Sequence, residues 1–414
     1  MKLITDYKLR IVLKNFNLRL LLRFTLLIIL ITNFQVIVSK SQELPPDAIQ
    51  VDFNSYFDNF GVSIIYPEVS FSKSLSEGTS INGRVLVDVI TTASMKSHFD
   101  SVYSFVNTKQ GLDAFTSASK RTHGGSDNIP DELRGEFGFG IVQLLGDATA
   151  SLTNLYSIEH DYSSETIAGS LSIPFAKKNT TIQLGIVESW DKNYPQTRTW
   201  TADKSVLSST LTFTQIFSTD FIAQLELFYS NLSGFLSDPY QVVTVVNYDS
   251  SYLQKFEPVY PDYRNRAAAG FRTLIRLADI SSLQLGYRYY TDDWDIKSHT
   301  LSGLYQHQLF EDKLLLGAGI RTYFQSKAKF FKAEYDKPEE FMSVDPKLNG
   351  IFSNEFEFNL SLNGSLIPII ENEKLELNGR FNLYIRKTDS PDWHSRYDKL
   401  YAFLMSFGFR FILN

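Results

Sequence analysis

The sequence of 414 residues has no cysteine, and only six histidines, four methionines and four tryptophans. Without cysteine there is no disulfide framework, no thiolate metal site and no cysteine nucleophile. The histidines His98, His123, His160, His299, His307 and His394 stand singly, with no metal-ligand spacing such as His-Glu-x-x-His. An excess of positive charge is missing too: 40 Lys and Arg against 46 Asp and Glu leave −6, which argues against a nucleic-acid surface. A third absence is of long apolar runs, because past the N-terminal segment none is long enough for a membrane helix, which needs about 20 residues. What is abundant is hydrophobic and aromatic, 43% and 14% of the chain, so disorder is excluded as well.

The first 41 residues read as an export signal. Lys2, Lys8, Arg10, Lys14, Arg19, Arg23 and Lys40 stand against Asp6, and the apolar stretch Phe24 to Val38 leads to the small residues of Ser39-Lys40-Ser41. That is the order of a basic region, an apolar region and a cleavage site. The apolar stretch is broken by Asn33 and Gln35 and is short for a transmembrane anchor. Removal of residues 1–41 is expected to leave a single domain, 42–414, that is more acidic than the whole.

In that domain the hydrophobic pattern has period two. Phe352, Phe356, Phe358, Leu360 and Leu362 alternate with Ser353, Glu355, Glu357, Asn359 and Ser361. Tyr401, Phe403, Met405, Phe407, Phe409, Phe411 and Leu413 do so at the end of the chain, and Phe221, Ala223, Leu225, Leu227 and Tyr229 in the middle. Such strands have one apolar and one polar face. They are longer than the strands of about 5 to 6 residues in a soluble sandwich, and suit a transmembrane barrel. Short turns are expected at Leu144 to Ala148, Ala176 to Thr180, Phe217 to Asp220, Ala278 to Ser281, Phe310 to Asp312 and Ile367 to Lys374. Longer polar connections are expected at Ser94 to Leu133, Trp190 to Asp203, Gly234 to Arg266, Lys327 to Lys347 and Lys387 to Lys399. Counting back from the last strand, and completing an even number with Ala48 to Tyr56, predicts an all-β, closed antiparallel transmembrane barrel of about 16 strands, with 14 as the fallback. A 22-stranded plugged receptor would need more chain than this.

Lipid demands an apolar outer face, so the polar positions of each strand should point inward. They carry Arg84, Asp88, Glu136, Gln183, Glu226, Arg272, Arg276, Arg288, Arg321, Glu355, Glu357, Glu376, Arg380, Arg386 and Arg410. A lumen of mixed sign follows, either wet or closed by pairing of its charges.

Four stretches, Glu159–Thr166, Gly234–Tyr240, Tyr287–Thr300 and Arg321–Ser326, carry a resemblance to a bacterial outer-membrane family catalogued as domain of unknown function 3570. The string Tyr287-Arg288-Tyr289-Tyr290 followed by Asp292-Asp293-Trp294-Asp295-Ile296 and Ser298-His299-Thr300 is the most specific part, and the resemblance runs from roughly Tyr66 to Leu413. It implies an outer-membrane barrel and brings no activity, cofactor or site residue with it.

Three clusters invite chemistry. Asp292, Asp293 and Asp295 could hold a hard cation such as calcium through oxygen ligands, though without the spacing of a calcium loop. Alternatively they solvate a hairpin tip whose Trp294 sits in the interfacial aromatic girdle, together with Trp190, Trp200, Tyr289, Tyr290, Tyr323, Trp393 and Tyr401. His160-Asp161-Tyr162-Ser163-Ser164 offers a base beside a hydroxyl, but neighbouring strand residues point to opposite faces, so a hydrolase would need partners from other strands. Arg121 to Asp127, with Gly124-Gly125, could fold inward as a constriction or bind an anion through backbone N–H groups. The expectation is a non-enzymatic outer-membrane barrel of a Gram-negative bacterium, without cofactor or nucleic-acid partner. It would be surrounded by outer-membrane lipid, placed by the barrel assembly machinery, and act as a pore for small solutes. The alternatives are a non-conducting barrel whose loops bind a partner and a membrane-embedded hydrolase.

Overall fold

In the computed structural model the described residues are 44–92, 132–195, 198–247, 252–368, 372–389 and 399–413. The expected signal segment, its cleavage site, the Arg121–Asp127 loop and Trp393 lie outside them. The described strands are β1 (Ala48–Asp58), β2 (Val62–Ser76), β3 (Thr79–Thr92), β4 (Glu132–Leu145), β5 (Ala148–Ile158), β6 (Tyr162–Phe175), β7 (Thr180–Asn193), β8 (Ala202–Ser218) and β9 (Phe221–Gly234). They continue with β10 (Val243–Asn247), β11 (Tyr252–Phe256), β12 (Tyr263–Ala278), β13 (Ser281–Asp292), β14 (Lys297–Leu309), β15 (Leu314–Gln325), β16 (Ile351–Asn363), β17 (Leu375–Thr388) and β18 (Lys399–Ile412).

Sixteen of them close an antiparallel barrel in which β9 pairs with β12 and β1 with β18, Ala48 facing Ile412 and Asp58 facing Ala402. Closure satisfies every ladder and leaves no edge, the condition for a sheet in hydrocarbon. The strands run from 11 to 17 residues, longer than the roughly 9 to 11 needed to cross, so they project beyond an apolar band. The outer face has the expected composition: Phe53, Phe71, Phe137, Leu227, Phe271, Leu301, Phe358 and Phe407 are among its exposed side chains.

Five of the six expected turns are present at one end of the barrel, the sixth, Ile367 to Lys374, running partly outside the described residues, and a further turn, Glu77-Gly78, joins β2 to β3. Several have left-handed residues, as tight reversals demand: Ala176, Lys177 and Lys178, then Phe310, Glu311 and Asp312. At the opposite end the connections are not uniformly long, since residues 59–61, 159–161 and 293–296 are also short. Gly234, at φ 98°, ends β9 there, and a Cβ at that position would collide with the carbonyl of Asp203.

Two of the long connections at this loop end, residues 235–262 and 326–350, are not simply the polar segments read from sequence. Residues 235–262 carry the hairpin β10–β11, and bridges Val245–Tyr335 and Val259–Met342 lace them to residues 326–350. Two apolar clusters result. Tyr260, Trp294, Ile296, Ala328, Phe330, Phe331 and Leu348 form one, and Val243, Val245, Tyr335, Met342 and Val344 the other. These connections therefore form a folded cap with its own core, stitched by Tyr335, whose hydroxyl accepts from the Ser343 N–H at 2.7 Å and donates to the Phe330 carbonyl at 2.7 Å.

Candidate functional site in the barrel lumen

Parity of exposure fixes which way each strand residue points. Val85 is exposed on the outer face, so Arg84 and Asp88 face inward. The same rule places Glu136 beside outward Phe137, Glu226 between Leu225 and Leu227, Arg272 beside Phe271, Arg288 beside Tyr287, Arg321 beside Ile320, and Glu355 and Glu357 around Phe356. It turns Gln183, Arg276, Glu376, Arg380, Arg386 and Arg410 to the lumen as well. The side chains of Arg380 and Arg276 are 62% and 51% exposed although they face inward, so the lumen is hollow around them.

These charges are unequally satisfied around the circumference. On β16–β18 and their neighbour β15, cross-strand register sets acid against base: Arg321 reaches Glu355 at 3.4 Å, Arg410 reaches Glu376 at 3.4 Å, and Arg380 reaches Glu357 at 3.6 Å. On β2–β4, Arg84 pairs with Glu136 and Glu68, and Arg134 with Asp88 at 2.5 Å. On β12–β13 the register does otherwise. Arg272 stands opposite Gln224 and Gly286, and Arg288 opposite Gly270 and Thr300. Arg266 stands opposite Asp292, whose carboxylate is taken by Arg264, with Nε donating at 2.9 Å. Among the described residues, Arg266, Arg272 and Arg288 form no ion pair; Asp292, already held by Arg264, and Glu226, opposite Gly270, are the acids on the neighbouring strands that face inward beside them. This arc of wall is electropositive.

Two cavities open on that arc. One of about 350 Å³ at the turn end is lined by Asp220, Arg276, Ser282, Gln306 and Gln308. The other, of about 600 Å³, lies beneath the cap between Arg266, Arg288, Tyr290, Arg321 and Tyr323 on the wall and Leu236, Ile296, Lys347 and Leu348 above.

A family model described as Protein of unknown function (DUF3570) matches residues 29–192 and 186–400. The chain belongs to that family. No curated protein matches the sequence. Among solved structures, the barrel is similar to OpdK of Pseudomonas aeruginosa crystallised with vanillate, at 10% identity and TM-score 0.44, covering 88% of this chain and 98% of that one. It is similar to the siderophore receptor PirA of the same organism at 9% identity and TM-score 0.44, covering 88% of this chain but 62% of the receptor. A bacterial polysaccharide outer membrane secretin matches at 6% identity and TM-score 0.47, covering 90% of this chain and all of that one. The chain thus spans less than two thirds of the siderophore receptor's length.

In this DUF3570 barrel the aspartate cluster does not converge on a point. Asp292, with no side-chain exposure, binds Arg264, accepts from the Tyr290 hydroxyl at 2.7 Å, and caps the backbone N–H groups of Trp294 and Ile296 at 3.0 and 2.9 Å. Asp293 accepts from the backbone and side chain of Asn265, both at 3.0 Å, and Asp295 occupies a left-handed turn position. Among the described residues no three acidic or histidine side chains come together as a metal cage. These carboxylates build the hairpin.

Trp294 is not in an aromatic girdle. It is 3% exposed, edge-on to Tyr260 and Phe330, covered by the Arg264 guanidinium at 4.2 Å, and its Nε1–H donates to the Tyr263 carbonyl at 3.1 Å. Tyr290 and Tyr323 leave the girdle for the same reason of parity, since both point into the lumen, and Trp200 packs on Phe235 at the loop end. Trp190, Tyr289 and Tyr401 keep outward positions. Around His160 the polar groups have other commitments: the Asp161 carboxylate accepts from the Tyr240 hydroxyl, and the Ser164 hydroxyl donates to Asp191 at 2.6 Å. Within the cap, Asp238 is pushed up to about 6, chiefly by burial and also by nearby Asp345, against the opposing pull of the Tyr240 N–H and Lys347.

Proposed function

We propose that the protein is an outer-membrane pore that passes small solutes and prefers anions to cations. The observation that carries this reading is the arc of inward arginines, Arg266, Arg272 and Arg288, none of which forms an ion pair among the described residues, with Arg266 and Arg288 lining the cavity beneath the cap. A positive wall in a narrow, low-dielectric passage concentrates anions and repels cations. In the same reading the N-terminal segment directs export, the barrel assembly machinery places the strands, and the loop end faces outward with the cap narrowing the entrance. The chain works without a cofactor and does no chemistry. Recording of single barrels in a planar bilayer tests it: stepwise currents are expected, with lower anion preference in Arg272→Ala and Arg288→Ala, and a folded barrel that passes no current would refute it.

A non-conducting barrel that binds a partner through its loop end is the second reading, favoured by the packed core of the cap. A preformed surface of this kind binds without an ordering cost. It predicts silence in the bilayer and loss of partner retention when residues 326–350 are shortened.

A further inference from the structure

The cavity beneath the cap has a chemistry that ion passage alone does not call for. Its floor on the wall is cationic, and its roof on the cap joins an apolar patch of Leu236, Ile296 and Leu348 to the polar Tyr260, Asp345 and Lys347. The Arg266 Nε is sealed from solvent and has no hydrogen-bond partner. A buried donor on a charged group is costly to leave unpaired, which marks a place where an acceptor belongs. Arg288 has no carboxylate partner among the described residues either; its guanidinium lies over the faces of Phe228 and Tyr290, at 5.7 and 5.9 Å. Gly270, opposite it in register, would place a Cβ 3.9 Å from the Arg288 Cγ, so this wall is kept low beside the stem. At about 600 Å³ the cavity is in the range of small-molecule sites.

We infer that this cavity is a binding site for an organic carboxylate with an apolar body, its acid group held by Arg266 and Arg288 and its body against Leu236, Ile296 and Leu348. The inference rests on the anion-pore reading for the direction of traffic, since it names the class of solute that pauses there. A hydrated inorganic anion would satisfy the arginines and leave the apolar patch of the roof without a partner. An alkyl ammonium would suit the roof and be repelled by the floor.

The test is calorimetric titration of the folded full-length barrel in detergent with hexanoate, hexylamine and inorganic phosphate, alongside bilayer recordings in hexanoate. Saturable hexanoate binding is expected, with no binding of hexylamine and weaker binding of phosphate. Arg266→Gln and Arg288→Gln should each weaken hexanoate by roughly tenfold or more, while Arg410→Gln, on the paired side of the lumen, should not. Absence of hexanoate binding, equal binding of hexylamine, tighter binding of phosphate, or affinities unmoved in both variants would overturn the site. Anion-selective currents without hexanoate binding would overturn it and leave the pore standing. Hexanoate binding to a silent barrel would do the reverse.

Discussion

Replacing Trp294 with alanine should open the cap without unfolding the barrel. The indole is 3% exposed in the cap core, in edge contact with Tyr260 at 5.7 Å and Phe330 at 5.1 Å, beneath the Arg264 guanidinium. Truncating a buried aromatic of this size costs about 3 to 5 kcal/mol. Nearly all of that falls on residues 235–262, 293–296 and 326–350, because the sixteen-strand ladder holds itself together through backbone pairing. Since 1.4 kcal/mol is a factor of ten, the population of opened cap should rise by about 10² to 4 × 10³. Limited trypsinolysis of the folded protein reads this directly, because Lys255, Lys329 and Lys332 lie in the cap. Cleavage there should accelerate by that factor while the barrel keeps its heat-modifiable migration. Unchanged cleavage would mean that Trp294 does not hold the cap, and loss of the folded barrel would mean that the cap is not a separable unit.

Asp292→Ala should destabilise the same end by about 3 to 5 kcal/mol, since it leaves Arg264 charged and unpaired at a site where both partners are largely buried; chemical denaturation followed by tryptophan fluorescence would show it. Asp238 makes cap stability depend on pH in an unusual direction. Its folded value is raised from 3.8 to about 6, so the folded cap holds a proton that the unfolded chain has released, and stability should fall as pH rises between those values. Thermal melting of the cap should flatten across that window in Asp238→Asn. Tyr240→Phe strips the Asp161 carboxylate of a hydroxyl donor at a site 5% exposed, and should cost about 1.5 to 3 kcal/mol in protection of the 235–262 connection from proteolysis.

The barrel was readable because its signal is repetitive. Each crossing needs period-two alternation over many residues, as in Tyr401 to Leu413, and a closed barrel needs an even number of them, which is how Ala48 to Tyr56 could be placed as a strand that the structure extends to Asp58. The cap was not readable, because its core is assembled from residues without period and from three separate connections: Trp294 meets Tyr260 and Phe330 only after the barrel has brought those segments to one end. Reading Trp294 as a girdle residue treated a position next to a strand end as though it faced lipid. The lumen lies between these cases. Alternation marks Arg288 and Arg321 alike as inward, but register alone sets Arg321 opposite Glu355 and Arg288 opposite Gly270 and Thr300, so neutral and electropositive arcs have the same appearance along the chain.

The reversal potential of the reconstituted wild-type barrel across a salt gradient tests the central claim most directly. With Arg266, Arg272 and Arg288 unneutralised along the passage, its sign should be that of an anion-selective conductor, and the preference should shrink as ionic strength rises and screens the wall. A cation-selective potential, or a membrane that stays silent with folded protein in it, would contradict the account.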